Sequence, residues 1–171
     1  MKFWLALVVL GSMLAMPDGP ANSQSKLVFD TTTIQVVTAE RRYLWRVQLA
    51  ISDRQMAQGL MFRKTLKPYD GMLFVFEGLG IARMWMKNTI IPLDMLFIKA
   101  DGTVESIKQG VPHSLKIVSS GKPVRAVLEI PRGTSKKLGI EVGDRIRHEM
   151  FGTPLKPLPS YKPKTMRQKR S

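Results

Sequence analysis

Between Tyr43 and Ala50 the chain alternates: Tyr43, Trp45, Val47 and Leu49 fall on one side, and Leu44, Arg46, Gln48 and Ala50 on the other. That period of two predicts a half-buried strand. Shorter β-branched or apolar runs at 26–29 and 33–38 precede it, so a sheet begins here. Ser52 followed by Gln55 is a capping-box spacing and predicts a short helix over 53–60, with Met56 and Leu60 on its inner face and Gly59 weakening its end. Tyr69-Asp70-Gly71 predicts a tight turn into a buried strand at 72–76, and 77–80 predicts another turn. Strands are then expected at 82–86, 94–99 and 103–107, the last two joined in a hairpin by Asp101-Gly102. Together these elements read as an antiparallel meander. The stretch 110–122, with Pro112, is the longest irregular segment and reads as a loop.

The segment LEIPRGTSKKLGIEVGDRI, at 128–146, has its own logic. A strand ends at Pro131, one helical turn runs through Lys137 to a terminating Gly139, and Gly143-Asp144 turns the chain into a last strand at 145–149. This order resembles the half-motif of small cradle-type barrels, including that of swapped-hairpin transcription factors. The expected fold is therefore mainly β with short helices (α+β), a small closed or nearly closed β-barrel. Closure removes the exposed edges that many short strands otherwise create.

Length and charge refine this picture. A chain of 171 residues has room for one domain and terminal extras. The formal charge of +14 is partly terminal, because six Lys and Arg and no acidic residue lie between Pro154 and Ser171. The expected division is a secretory signal at 1–23, a β-rich domain at 24–152 and a disordered, basic Pro/Lys-rich tail at 153–171. Lys2, the apolar run 3–16, Pro17 and Gly19-Pro20 build the signal, and Ala21 and Ser23 favour cleavage after Ser23, with Ala15 as a weaker alternative. This predicts export to the periplasm or beyond, or membrane association if the leader is kept. Absence of Cys excludes disulfides and thiolate chemistry.

The blocks GLMFR, DGMLFVF, MWMKNTIIPLDMLFI, DGTVESI, VLEIPRG and LGIEVGD occur in an order that resembles domain-of-unknown-function family 192. The resemblance runs from about Tyr43 to Arg147, and Met84 stands where that family usually has an aromatic residue. It implies an exported or membrane-associated β-rich domain and carries no established activity.

Candidate chemistry concentrates in 84–97, where Lys87, Asn88, Thr89 and Asp94 sit among large apolar residues. Buried polar groups without partners cost roughly 1–3 kcal/mol each, so these residues require partners or a ligand. Arg63, Lys87 and Asn88 are donors suited to surround Asp94, with Arg63 its bidentate partner and Glu129 a further member of the same polar pocket. Trp85 is expected to point away from Met84 and Met86. The reading is a non-enzymatic module for a small ligand or envelope component, with ligand-binding residues Arg63, Trp85, Lys87, Asn88, Asp94 and Glu129. A sealed network that only locks the fold is the structural alternative.

Competing readings are an enzyme using Asp94 and Lys87 as an acid–base pair, and a Cu(I) protein using the thioethers of Met84 and Met86, with Met56, Met61, Met72 and Met95 able to lie near them. The ordinary role of Met as an adaptable core filler stands against the second. His113 and His148 fit no catalytic triad by spacing, no cofactor motif is present, and zinc and hard-metal patterns are lacking. Export disfavours nucleic acid as a partner, and the tail's charge suits weak contact with anionic surfaces.

Overall fold

The computed structural model describes residues 27–156, so the expected leader and all of the basic tail beyond Lys156 lie outside the described residues. Strand β1 (Thr31–Val37) pairs antiparallel with β2 (Arg42–Ala50), whose alternation buries Trp45 and Val47. Helix α1 (Asp53–Gln58) starts at the expected capping box: the Ser52 hydroxyl accepts from the Gln55 N–H at 3.4 Å, and the Gln55 side chain accepts from the Ser52 N–H at 3.0 Å. The remaining elements are β3 (Asp70–Met84), β4 (Leu93–Ile98), β5 (Val104–Gly110), β6 (Val118–Pro131), α2 (Thr134–Leu138) and β7 (Arg145–Arg147). Among the described residues no helix is long and apolar enough to cross a membrane.

Among the described residues all seven strands form one sheet, in the order β5-β4-β6-β3-β2-β1-β7. Its two ends meet through a bridge between Thr103 and Arg145, with the Ile146 N–H donating to the Gly102 carbonyl at 2.8 Å. The sheet is thus a curled, nearly closed half-barrel, mainly β with short helices as expected. The run from β6 through α2 and the Gly143-Asp144 turn to β7 follows the anticipated half-motif.

The connectivity differs from a meander. β2 and β3 are parallel, and β6 inserts between β3 and β4. The strands expected at 72–76 and 82–86 are one element, because β6 is long enough to pair with β3 on both sides of register shifts that begin after Val75. The same pairing takes up 118–122, which shortens the expected loop to 111–117. Asp70-Gly71 opens β3 rather than forming the turn, and the positive φ falls on Tyr69. Gly71 is still required, since a Cβ there would lie 2.7 Å from the Glu129 carbonyl oxygen.

The two faces of the sheet carry separate cores. One holds Ile34, Val36, Trp45, Leu73, Leu96, Ile98, Leu128 and Ile130. The other holds Met72, Phe74, Met86, Met95, Phe97 and Val127, with Met56 of α1 packed against it. Beyond the expected domain end at 152 the chain remains attached: the buried Gln35 amide donates to the Lys156 carbonyl at 2.7 Å and accepts from its N–H at 3.3 Å.

Candidate functional site

Asp94 and Glu129, the two carboxylates flanked by apolar residues, lie on adjacent strands yet on opposite faces of the sheet. The register pairs Asp94 with Ile130 and Met95 with Glu129, so Asp94 shares the face of Leu96 and Ile130, and Glu129 shares that of Met72 and Met95. Strand residues that pair across a ladder point to the same side, and a shift of one residue reverses the side. One pocket cannot hold both carboxylates. That is the first correction to the pocket expected from the sequence.

The second concerns Asp94 itself. Its Oδ2 accepts hydrogen bonds from the Ser135 hydroxyl at 2.6 Å and the Ser135 N–H at 3.1 Å. Ser135 lies in the first turn of α2, whose N-cap, Gly133, supplies no side-chain acceptor. Asp94, only 1% exposed, therefore caps this helix from the neighbouring strand, where an acidic group also suits the helix dipole. The expected donors are engaged elsewhere. The Arg63 guanidinium lies 5.7 Å from the Phe29 ring centroid, Lys87 Nζ lies 5.2 Å from that of Trp85, and Asn88 Nδ2 faces Met61 Sδ at 3.9 Å. No hydrogen bond or ion pair joins Asp94 to Arg63, Lys87 or Asn88 among the described residues. An acid–base pair of Asp94 with Lys87 loses its geometric basis.

Glu129 has the opposite character. Its side chain is 4% exposed, and no hydrogen bond or ion pair reaches its carboxyl group among the described residues. Burial pushes its pKa from 4.5 up to about 8, since charge is disfavoured where water is excluded and nothing compensates it. The carboxyl lines a crevice of about 30 Å³ together with Met56, Gln58, Leu60, Met61, Phe74, Met84, Trp85 and Thr89.

Local structure explains why these side chains meet. α1 ends at Gly59 with φ 48°, and a Cβ there would meet the Phe74 ring, so the chain turns directly into Leu60 and Met61. The Phe62 N–H then donates to the Asn88 carbonyl at 2.9 Å, tying this turn to the segment after β3. Asn88 and Phe62 both have positive φ, a conformation Asn tolerates better than most residues. On the other side Met86 N–H donates to Ser114 and His113 N–H donates to Thr89, at 3.0 and 3.1 Å. Trp85, 44% exposed, stands at the crevice mouth, and Met86, 1% exposed, packs into the core beside Met95 and Gly110. The sequence therefore anticipated the divergence of Trp85 and Met86 and the nearness of Met56 and Met61 to Met84. However, Trp85 and Met84 line the same crevice rather than opposite faces, Met86 is sealed in the core away from it, and the place of Glu129 among these methionines was not foreseen.

Arg63 belongs to a different cleft, of about 210 Å³, with Thr31, Arg46, Gln48 and Asp70. Burial lowers its pKa, and Gln48 presents an unpaired buried Oε1 in the same region.

The fold places the chain among mainly β proteins built on a curled half-barrel sheet with short helices. The chain belongs to DUF192, a family described as uncharacterized ACR, whose model matches residues 34–148. It is similar to a candidate transcription regulator from Sinorhizobium meliloti 1021, with 42% identity, a TM-score of 0.72, and 74% of this chain and 99% of that chain covered. A protein of unknown function from Novosphingobium aromaticivorans DSM 12444 is similar at 31% identity and a TM-score of 0.67, covering 77% of this chain and 100% of that chain. No curated protein matches.

Proposed function

We propose that this is an exported small-ligand-binding module whose site is the Glu129 crevice, with Trp85 at its mouth and Asp94 serving only the fold. The observation that carries this reading is the unpaired, buried carboxyl group of Glu129 facing an open space. A lone buried polar group is a standing cost, and a site is where a fold tolerates such a cost. Lys87, Asn88 and Thr89 frame the mouth, and Arg63 serves the adjoining cleft.

Export rests on Lys2, the apolar run at 3–16 and the small residues before Gln24. The basic residues after Pro154 suit contact with anionic envelope surfaces. The Sinorhizobium relative's description would extend to this chain as DNA binding, and a mobility-shift assay at physiological salt separates that reading from this one.

Native mass spectrometry of the protein purified from its own compartment tests the proposal. A retained species that disappears in Glu129→Gln and persists in Asp94→Asn is the expected result. No retained species, or one indifferent to Glu129, rejects the crevice as the site.

A further inference from the structure

We infer that the crevice is a site for a soft monovalent metal ion, Cu(I), held by the thioethers of Met56, Met61 and Met84 and the carboxylate of Glu129, with the Trp85 ring over its mouth. This rests on the reading of the crevice as the ligand site and names the class of ligand.

Size comes first. A space of about 30 Å³ accommodates a water-sized occupant or an ion. Organic ligand pockets run to roughly 300–1,000 Å³.

Charge and softness narrow the choice. The crevice offers one carboxyl group that has no cation beside it, so on releasing its proton to solvent as the ion enters it can compensate a single positive charge. Beside the Gln58 amide and the Thr89 hydroxyl, its other donors are three thioethers, which suit Cu(I) and offer little to Mg²⁺, Ca²⁺ or Mn²⁺. No cluster of three or more His, Cys, Asp and Glu suited to a hard or borderline metal occurs among the described residues. Every described methionine except Met150 gathers on this face of the sheet or in the crevice, around Glu129. Met72, Met86 and Met95 are sealed in the core at 1% exposure or less, and they form a polarizable, adaptable wall behind the site. Met56 and Met84 are half-buried at its margin, and Met61 is anchored by the Asn88 amide.

The indole supplies a further feature. An aromatic face attracts cations, and the Trp85 ring already carries the Lys87 ammonium at 5.2 Å. A cation in the crevice below lies beside the same ring, which makes Trp85 emission a local reporter.

The test uses the full chain, anaerobic and with ascorbate, in competition with a chromogenic Cu(I) chelator. The unmodified protein is expected to withdraw one equivalent of Cu(I) and to lose part of its tryptophan emission as it does so, a loss absent from Trp85→Phe. The combined change Met56→Leu, Met61→Leu and Met84→Leu should weaken uptake at least ~100-fold, and Glu129→Gln at least ~10-fold, on the scale by which altered metal environments reduce affinity. Met150→Leu, on the opposite core, should leave it unchanged. Leu for Met nearly conserves volume, so these variants should fold, and Met84→Leu alone, at a half-buried position, provides the test if the triple variant does not. No withdrawal by the unmodified protein, or withdrawal that survives the methionine changes, overturns the metal assignment. An organic species retained through Glu129, together with no Cu(I) uptake, overturns the metal and leaves the crevice standing. Failure of both measurements removes both.

Discussion

Asp94 on β4 accepts two hydrogen bonds from Ser135, one from the hydroxyl at 2.6 Å and one from the backbone N–H at 3.1 Å, across 41 residues of chain. The pair fastens the short helix α2 onto the sheet at the point where the chain leaves β6. A hydrogen bond that involves a charged group is worth about 1.5–3 kcal/mol, and the acceptor here is buried. Asp94→Asn is therefore expected to destabilise the protein by roughly 2 kcal/mol, and Ser135→Ala by roughly 1–2 kcal/mol. Combining them should cost less than the sum, because each removes the same contact. Urea denaturation of the two single variants and the double variant measures the coupling, and strict additivity would show that the contact carries no energy.

Glu129 makes stability depend on pH in an unusual direction. Its native pKa of about 8 lies above the ordinary 4.5, so between those values the native state keeps a proton that the unfolded chain has released. Stability is then fully present below the unfolded pKa and is lost as pH rises toward the native one. The loss should total on the order of 3–5 kcal/mol in the ligand-free protein. Denaturation midpoints at mildly acid and mildly alkaline pH should differ for the unmodified protein and converge in Glu129→Gln. A midpoint that rises with pH in the unmodified protein would contradict this.

The end of the fold is set by Gln35. Its buried amide makes both of its hydrogen bonds to the backbone of Lys156, so the chain just beyond the last 3-10 turn satisfies a group of β1. A chain ending at Lys156 should melt within a degree or two of the full-length protein. A chain ending at Thr153 should lose roughly 1–3 kcal/mol, the cost of orphaning a buried amide. Equal melting temperatures for the two truncations would show that water replaces Lys156 without loss.

Gly71 controls how closely β3 approaches Glu129. Its missing side chain leaves room for the Glu129 carbonyl, which a Cβ would meet at 2.7 Å against backbone rather than a flexible side chain. Gly71→Ala is expected to cost roughly 1–3 kcal/mol by forcing the strands apart, and to displace Glu129 from its crevice. Loss of ligand retention together with the fall in stability, read by native mass spectrometry and thermal melting, is the expected signature.

Local chemistry is written in the sequence wherever neighbours along the chain decide it. The alternation of β2, the capping box at Ser52 and Gln55, and the order of β6, α2, the Gly143-Asp144 turn and β7 all depend on contacts within a few residues. Tertiary structure decided what those elements touch. Asp94 and Glu129 are equally apolar in their flanks, and nothing local distinguishes a helix cap from an unpaired acid. The difference arises because β4 and β6 pair with Met95 opposite Glu129, which turns Asp94 toward Ser135 and Glu129 toward the methionines. Arg63, Lys87 and Asn88 carry the right charge or hydrogen-bonding capacity for Asp94, but Phe29, Trp85 and Met61 receive them instead. Register across a sheet is fixed by the best overall burial of both faces, a property of the whole chain, and a one-residue difference in it moves a carboxylate from a sealed hydrogen-bond network to an open crevice.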